Sequence, residues 1–292
     1  MLAKGLCRPV EIDADNRVYE AMRDRKEGPA EAVPCHRLAI HPCSSGLASQ
    51  HLLIRLFQGV LKQPDKQKPA RTPPGASSAS LDTHGLHRQL EVPPGDLLIH
   101  AGDFTFYSKP PSIVSDFDDW LGSLPHRQRV VVPGNHEFAL EEPEDRGAIA
   151  NAILLVDSGV QVEGMKVWGP PVIPLYGGAF GMSRAADRKR HWARIPEGLD
   201  ILVTHGPPLG ILDELGPDRH DGCPELCEAV SQARPRVHVF GHTHAGYGML
   251  RTPDTLFVNA SLLGAGGGLD RKPIVIDLSL SRRRDEICAA ES

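Results

Sequence analysis

At 292 residues, with 40% hydrophobic and 24% charged side chains, the chain has the composition of a soluble globular protein of one large or two small domains. Its 32 basic and 37 acidic residues leave a formal net charge of −5, which argues against a protein that grips duplex nucleic acid through a basic face. No apolar run nears the roughly 18 residues that a membrane span requires, and the cysteines at 7, 35, 43, 223, 227 and 288 are too scattered for a disulfide scaffold.

In chain order, residues 1–80 differ from the rest. Charge is dense over Glu20–Glu31, Lys and Pro over Gln63–Pro74, and Gly75–Ser80 reads Gly-Ala-Ser-Ser-Ala-Ser. This composition predicts a largely disordered N-terminal extension. Leu52, Leu53, Leu56, Phe57, Val60 and Leu61 fall at roughly helical spacing, so one helix is expected over 47–61. Glu11, Asp13, Asp15 and Glu20 argue against a secretory or transit leader, and a cytoplasmic location is the expectation.

The texture then becomes strand, loop and helix. Ala76–Leu81 reads as a weak strand, Asp96–Ala101 as a strong one, and Ser112–Leu124 as an amphipathic helix through Ile113, Phe117, Trp120, Leu121 and Leu124. Arg129–Val132 reads as a strand and 144–155 as a helix, and a hairpin turns at Glu163-Gly164. Arg184–Arg194 and Cys223–Arg234 are expected helices. Leu199–Val203, Val237–Phe240, Thr255–Ala260 and Pro273–Leu278 are expected strands, with Gly264–Gly268 a turn and a charged tail over 281–292. The alternation predicts a layered α/β domain over 81–280. Cys223 and Cys227 lack a second pair at zinc-ribbon spacing, and His100 and His238 inside apolar strands read as core imidazoles.

The strand ends carry the chemistry. Four apolar runs stop at turns bearing Asp103, Asn135-His136, His205, and His242 with His244. Ligands of open α/β sheets bind at that edge. Together with Asp82-Thr-His84, these turns spell Asp-x-His, Gly-Asp, Gly-Asn-His-Glu, His-Gly and Gly-His-Thr-His in order.

In that order they resemble the calcineurin-like metallophosphoesterase superfamily, and Thr204–Gly210 and His238–Gly248 look most like its metallophosphoesterase-domain-containing (MPPED-type) phosphodiesterases. The resemblance implies a four-layer sandwich of two mixed β-sheets flanked by helices. It makes Asp82, His84 and His244 ligands of one metal and Asn135, His205 and His242 ligands of a second, with Asp103 bridging. His136 is then the catalytic residue, with Glu137 as its orienting partner, and Asn135 and His136 meet the substrate. Mixed carboxylate, amide and imidazole donors suit two divalent ions, Mn²⁺ foremost, with Fe, Zn²⁺ or Mg²⁺ as alternatives. The implied reaction is attack of a metal-bridging hydroxide on a small phosphodiester such as a cyclic nucleotide. A phosphomonoesterase and a slow nucleotide-binding module are the alternatives. The family's first strand is long and apolar whereas Pro73–Leu81 is not, which leaves open whether Arg37–Ile40 takes its place.

Overall fold

The computed structural model describes residues 51–58, 76–80 and 82–279, apart from 111, 176, 265 and 266. The expectations for 1–50, for Arg37–Ile40 and for the tail after 280 fall outside the described residues. In chain order the strands are β1 (His51–Gln58), β2 (Ala76–Ser80), β3 (Leu97–His100), β4 (Gln128–Val131), β5 (Ile153–Leu154), β6 (Ser158–Val162) and β7 (Met165–Gly169). They continue as β8 (Ile201–Val203), β9 (Glu214–Gly216), β10 (Arg219–His220), β11 (Val237–Phe240), β12 (Gly248–Arg251), β13 (Leu256–Asn259) and β14 (Lys272–Ser279). The α-helices are α1 (Ile113–Ser123), α2 (Ala185–Trp192) and α3 (Pro224–Ala233).

Two six-stranded sheets form, in the orders β1-β14-β2-β3-β4-β5 and β12-β13-β11-β8-β7-β6. Both mix parallel and antiparallel pairs: β2, β3 and β4 run parallel, as do β8 and β11, whereas β14 is antiparallel to β1 and β2. Successive strand residues point to opposite faces, and this alternation builds the layers. Leu97, Ile99, Val130 and Val132 of one sheet meet Ile201, Val203, Val237 and Val239 of the other in a shared core. Leu98 and Val131 point outward into a cluster with Phe117, Trp120 and Leu121 of α1. Leu202 and Phe240 point outward on the other side, against Trp192 of α2 and Leu226 and Val230 of α3. Helix, sheet, sheet, helix is the four-layer α/β order. Residues of β3, β8 and β11 are buried on both faces, which is why their sequences are apolar apart from the buried His100 and His238.

Among the described residues, two expected helices are absent. The segment expected as a helix over 47–61 contains β1, which pairs antiparallel with β14 from His51 opposite Ser279 and parallel with β2 from Leu53 opposite Ala76. Leucine-rich runs of this length fit either period, and two available ladder partners decide for the strand. Over 144–155 a short 3₁₀ turn, Pro143–Ala148, precedes β5. There the Asp118 carboxylate accepts the Ala150 and Asn151 amides at 2.9 and 2.8 Å, so those N–H groups never reach helical carbonyls. The weak strand before Asp82 does form, as β2, between β14 and β3. The hairpin turns where expected, with Glu163 and Gly164 at φ +47° and +83° and Val162 opposite Met165. No helix among the described residues is long and apolar enough to cross a membrane.

His100 and His238 are fully buried core imidazoles. Burial alone holds His238 down to about 3 from its ordinary 6.5. Its Nε2 bonds the Thr204 hydroxyl at 2.9 Å, and that hydroxyl donates onward to the Gly206 carbonyl. Below pH 6.5 the unfolded chain therefore takes up a proton that the folded chain refuses. The stability linked to His238 is complete above that pH and is lost as pH falls toward 3. Between pH 7 and pH 5 the wild type is expected to lose about 2 kcal/mol more than His238→Gln, read from urea unfolding at both pH values. Equal losses would place the imidazole in a more polar setting than its burial indicates. Cys223 and Cys227 are buried without a disulfide, and burial pushes the Cys223 thiol up to about 11, a poor start for a zinc thiolate.

Candidate metal centre

The carboxyl ends of β2, β3, β4, β8 and β11 converge on one crevice. Asp82 and His84 follow β2, Asp103 follows β3, Asn135 and His136 follow β4, His205 follows β8, and His242 and His244 follow β11. The turns are stitched to one another: Asp82 N–H donates to the Gly102 carbonyl at 3.1 Å, His84 N–H to that of Asp103 at 3.0 Å, and Gly241 N–H to that of His205 at 2.8 Å. Asp82, His84, Asp103 and His242 hold left-handed φ values of +51°, +41°, +52° and +64°. Each such non-glycine residue costs on the order of 1 kcal/mol, and strain of this kind gathers where side chains are aimed for chemistry.

The donor atoms fall into three overlapping groups, each within 4.8 Å: Asp82, His84 and His244; His84, Asp103 and His136; and Asp103, His205 and His242. Asp103 belongs to two of them. Its Oδ2 lies 3.3 Å from His205 Nε2 and 3.9 Å from both His84 Nε2 and His136 Nε2. Asn135 Oδ1 joins the set 2.9 Å from His205 Nε2. All seven expected ligands and His136 are thus brought together.

The surroundings prepare these atoms for a cation. His205 Nδ1 faces the Ala101 carbonyl at 2.9 Å and His84 Nδ1 that of Thr105 at 3.0 Å. A carbonyl can only accept, so each ring carries a proton on Nδ1 and leaves Nε2 facing Asp103, where a cation or a second proton would sit. Asp82 and Asp103 are 0% and 2% exposed, and among the described residues their ion pairs are with histidines. Buried carboxylates without a lysine or arginine call for some other positive charge. Burial would lower the His205 pKa, but the Asp103 carboxylate beside it prevails and pushes it up to about 9. Burial opposes ionisation of Asp103, yet its histidine neighbours hold it well below the usual carboxylate range. A proton on His205 thus occupies the place that a divalent ion could take.

Glu137 has another role than the expected one of orienting His136. Fully buried, its carboxylate accepts Asp103 N–H and Gly134 N–H at 2.7 Å each and Thr105 N–H at 2.9 Å. It clamps the turn after β3 to the turn after β4. Burial, and then the Asp103 charge, push its pKa up to about 7. His136 is instead placed by its own backbone, whose N–H donates to Asp103 Oδ1 at 3.0 Å. Its ring is edge-on to His84 at 4.6 Å, and burial lowers its pKa, so it is neutral at pH 7.

One contact was missed by sequence reasoning. Asp221 Oδ2 lies 3.2 Å from His242 Nε2. Asp221 sits between β10 and α3, with no motif of its own, and only the folded loop brings it to the ring.

The calcineurin-like phosphoesterase family matches residues 79–246, which span every one of these side chains. The chain is 39% identical to metallophosphoesterase domain-containing protein 1 of Homo sapiens over 243 residues, covering 73% of this chain and 74% of that protein. The protein of that name from Mus musculus gives the same figures. UPF0046 protein K07C11.7 of Caenorhabditis elegans is 35% identical over 210 residues, covering 66% of this chain and 72% of its own. With the family matched over more than half its length and its β-strand ends converging on one cluster of metal-type donors, the chain belongs to the calcineurin-like phosphoesterases, which hydrolyse phosphoesters with bound metal.

Proposed function

We propose that the chain is a phosphodiesterase working with two divalent ions. The observation that carries this reading is the Asp103 carboxylate, shared by two donor groups that differ in their other members. Asp82, His84 and His244 would hold one ion, Asn135, His205 and His242 the other, and Asp103 would serve both. Oxygen and imidazole donors without thiolates suit Mn²⁺ first, and Fe, Zn²⁺ or Mg²⁺ as well. Ions so held supply charge neutralisation at the phosphoryl oxygens and an acidified water. The chain's own residues do the rest. Nδ1–H bonds to backbone fix the His84 and His205 rings, the Asn135 amide shares its side of the site with the substrate, and the Glu137 clamp sets the spacing of the Asp103 and Asn135 turns. His136, kept neutral by burial, offers a hydrogen bond to the ester oxygen as its bond to phosphorus breaks and that to water's oxygen forms.

The substrate on this reading is a small phosphodiester, a cyclic nucleotide foremost, met in the cytoplasm without nucleic-acid duplex or membrane as partner. A slow binding module was favoured only by the poor strand propensity before Asp82, and β2 forms there with partners on both sides. The test is hydrolysis of bis(p-nitrophenyl) phosphate, then of 3′,5′-cyclic nucleotides, by metal-stripped protein with Mn²⁺ restored. Turnover is expected only with metal, falling by about 100-fold or more in His242→Ala. A folded, metal-loaded wild type that leaves every phosphodiester intact would overturn the proposal.

A further inference from the structure

The exposed large aromatic side chains among the described residues cluster around His136. Phe106 is 57% exposed, Tyr107 50% and Phe138 38%. The Tyr107 ring centre lies 4.4 Å from that of His136 and 6.2 Å from that of Phe138, while Phe106 lies 5.4 Å from His136 and 5.7 Å from His84. Rings of this size are normally buried, and a patch of them at the mouth of a site marks a surface for a ligand.

The backbone adds an independent observation. Tyr107 and Ser108 hold φ values of +54° and +53° in succession, a conformation that side-chain-bearing residues avoid. Hydrogen bonds lock it to the metal centre. Thr105 Oγ1 accepts the Ser108 N–H at 3.1 Å and donates to the His136 carbonyl at 3.0 Å, and the Ser108 hydroxyl reaches the same carbonyl at 3.3 Å. Ser108 Oγ also accepts the Ala139 N–H at 3.0 Å. The two rings are therefore held at a set place beside His136 instead of swinging on a loose loop. Strained backbone that presents rigid apolar groups to solvent next to reactive side chains fits preorganised binding.

We propose that Phe106 and Tyr107 form a stacking shelf for a nucleobase, so that the substrate is a nucleotide whose base lies on the His84–His136 side while its phosphate enters the donor cluster. This rests on the proposed phosphodiesterase reading of the same site. Stacking on an aromatic side chain is tolerant of base identity, so the shelf selects nucleotides as a class more than one base among them. A protein partner on the same patch would need no phosphate nearby.

The test is calorimetric binding of 5′-AMP and of ribose 5-phosphate to the full chain loaded with Mn²⁺. Wild type is expected to bind 5′-AMP about 10-fold or more tightly than ribose 5-phosphate. That preference should collapse in Phe106→Ala and Tyr107→Ala and persist in Tyr107→Phe. Equal affinities in wild type, or a preference that survives both alanine variants, would overturn the shelf alone. Binding of neither ligand by metal-loaded protein would overturn it together with the proposed function.

Discussion

Asp103→Asn is expected to lower kcat/KM for bis(p-nitrophenyl) phosphate by about three orders of magnitude and to leave the protein with at most one tightly held ion per chain. The change keeps size and shape, so the loss reports charge. Asp103 is 2% exposed, and the Nε2 atoms of His84, His136 and His205 all lie within 3.9 Å of its Oδ2. An amide there supplies one neutral oxygen where a carboxylate offered two charged ones. Metal-free variant should also lose the effect that pushes His205 up to about 9, since the Asp103 charge causes it. Elemental analysis after gel filtration, beside the rate assay, reads both consequences. A variant that keeps two ions and more than a tenth of the activity would remove Asp103 from the centre of the mechanism.

Gly134→Ala should cost about 3 kcal/mol of stability and abolish tight metal binding, although the added methyl is neither polar nor large. A Cβ at Gly134 would collide with Oδ1 of Asp103 and lie 2.6 Å from Cε1 of His205 and 2.7 Å from the Asp103 nitrogen. These atoms belong to buried groups, with Asp103 N–H pinned by Glu137 and His205 Nδ1 by the Ala101 carbonyl, so they cannot retreat cheaply. Gly147→Ala is the control: a Cβ there meets nothing within 4 Å and its φ is not left-handed, so stability should move by less than about 0.5 kcal/mol. Thermal or urea unfolding with and without Mn²⁺ measures both. A Gly134→Ala protein as stable and as metal-responsive as Gly147→Ala would mean that the two turns are looser than their contacts indicate.

Much of the site was legible because its pieces are local. A strand buried on both faces has to be mostly apolar, and the turn that ends it has to be permissive, so Leu97–Ala101 into Gly102-Asp103 and Val237–Phe240 into Gly241-His242 declare both strand and ligand, His100 and His238 being the single polar residue in each run. The same reasoning put His242 and His244 on the turn beyond the strand, where His242 indeed lies at φ +64°. Adjacency in sequence points Glu137 to His136, and adjacency is no guide to a buried carboxylate's partner in space. Its actual partners are the amides of Gly134, Asp103 and Thr105, two of which lie more than 30 residues away.

The sequence by itself determined the strand-and-turn units and the chemical type of each donor, since both depend on a handful of adjacent residues: apolar continuity, a glycine, then Asp, Asn or His. Only the tertiary structure decided how leucine-rich 51–58 would pair, which carboxylate would reach His242, and that Phe106 and Tyr107 would stand open beside His136. The physical reason is that helix and strand periods are both compatible with a short apolar run, and a side chain's partner is whatever the folded chain leaves within reach. Those choices follow from which ladder edges and apolar faces remain to be satisfied once the rest of the chain is in place.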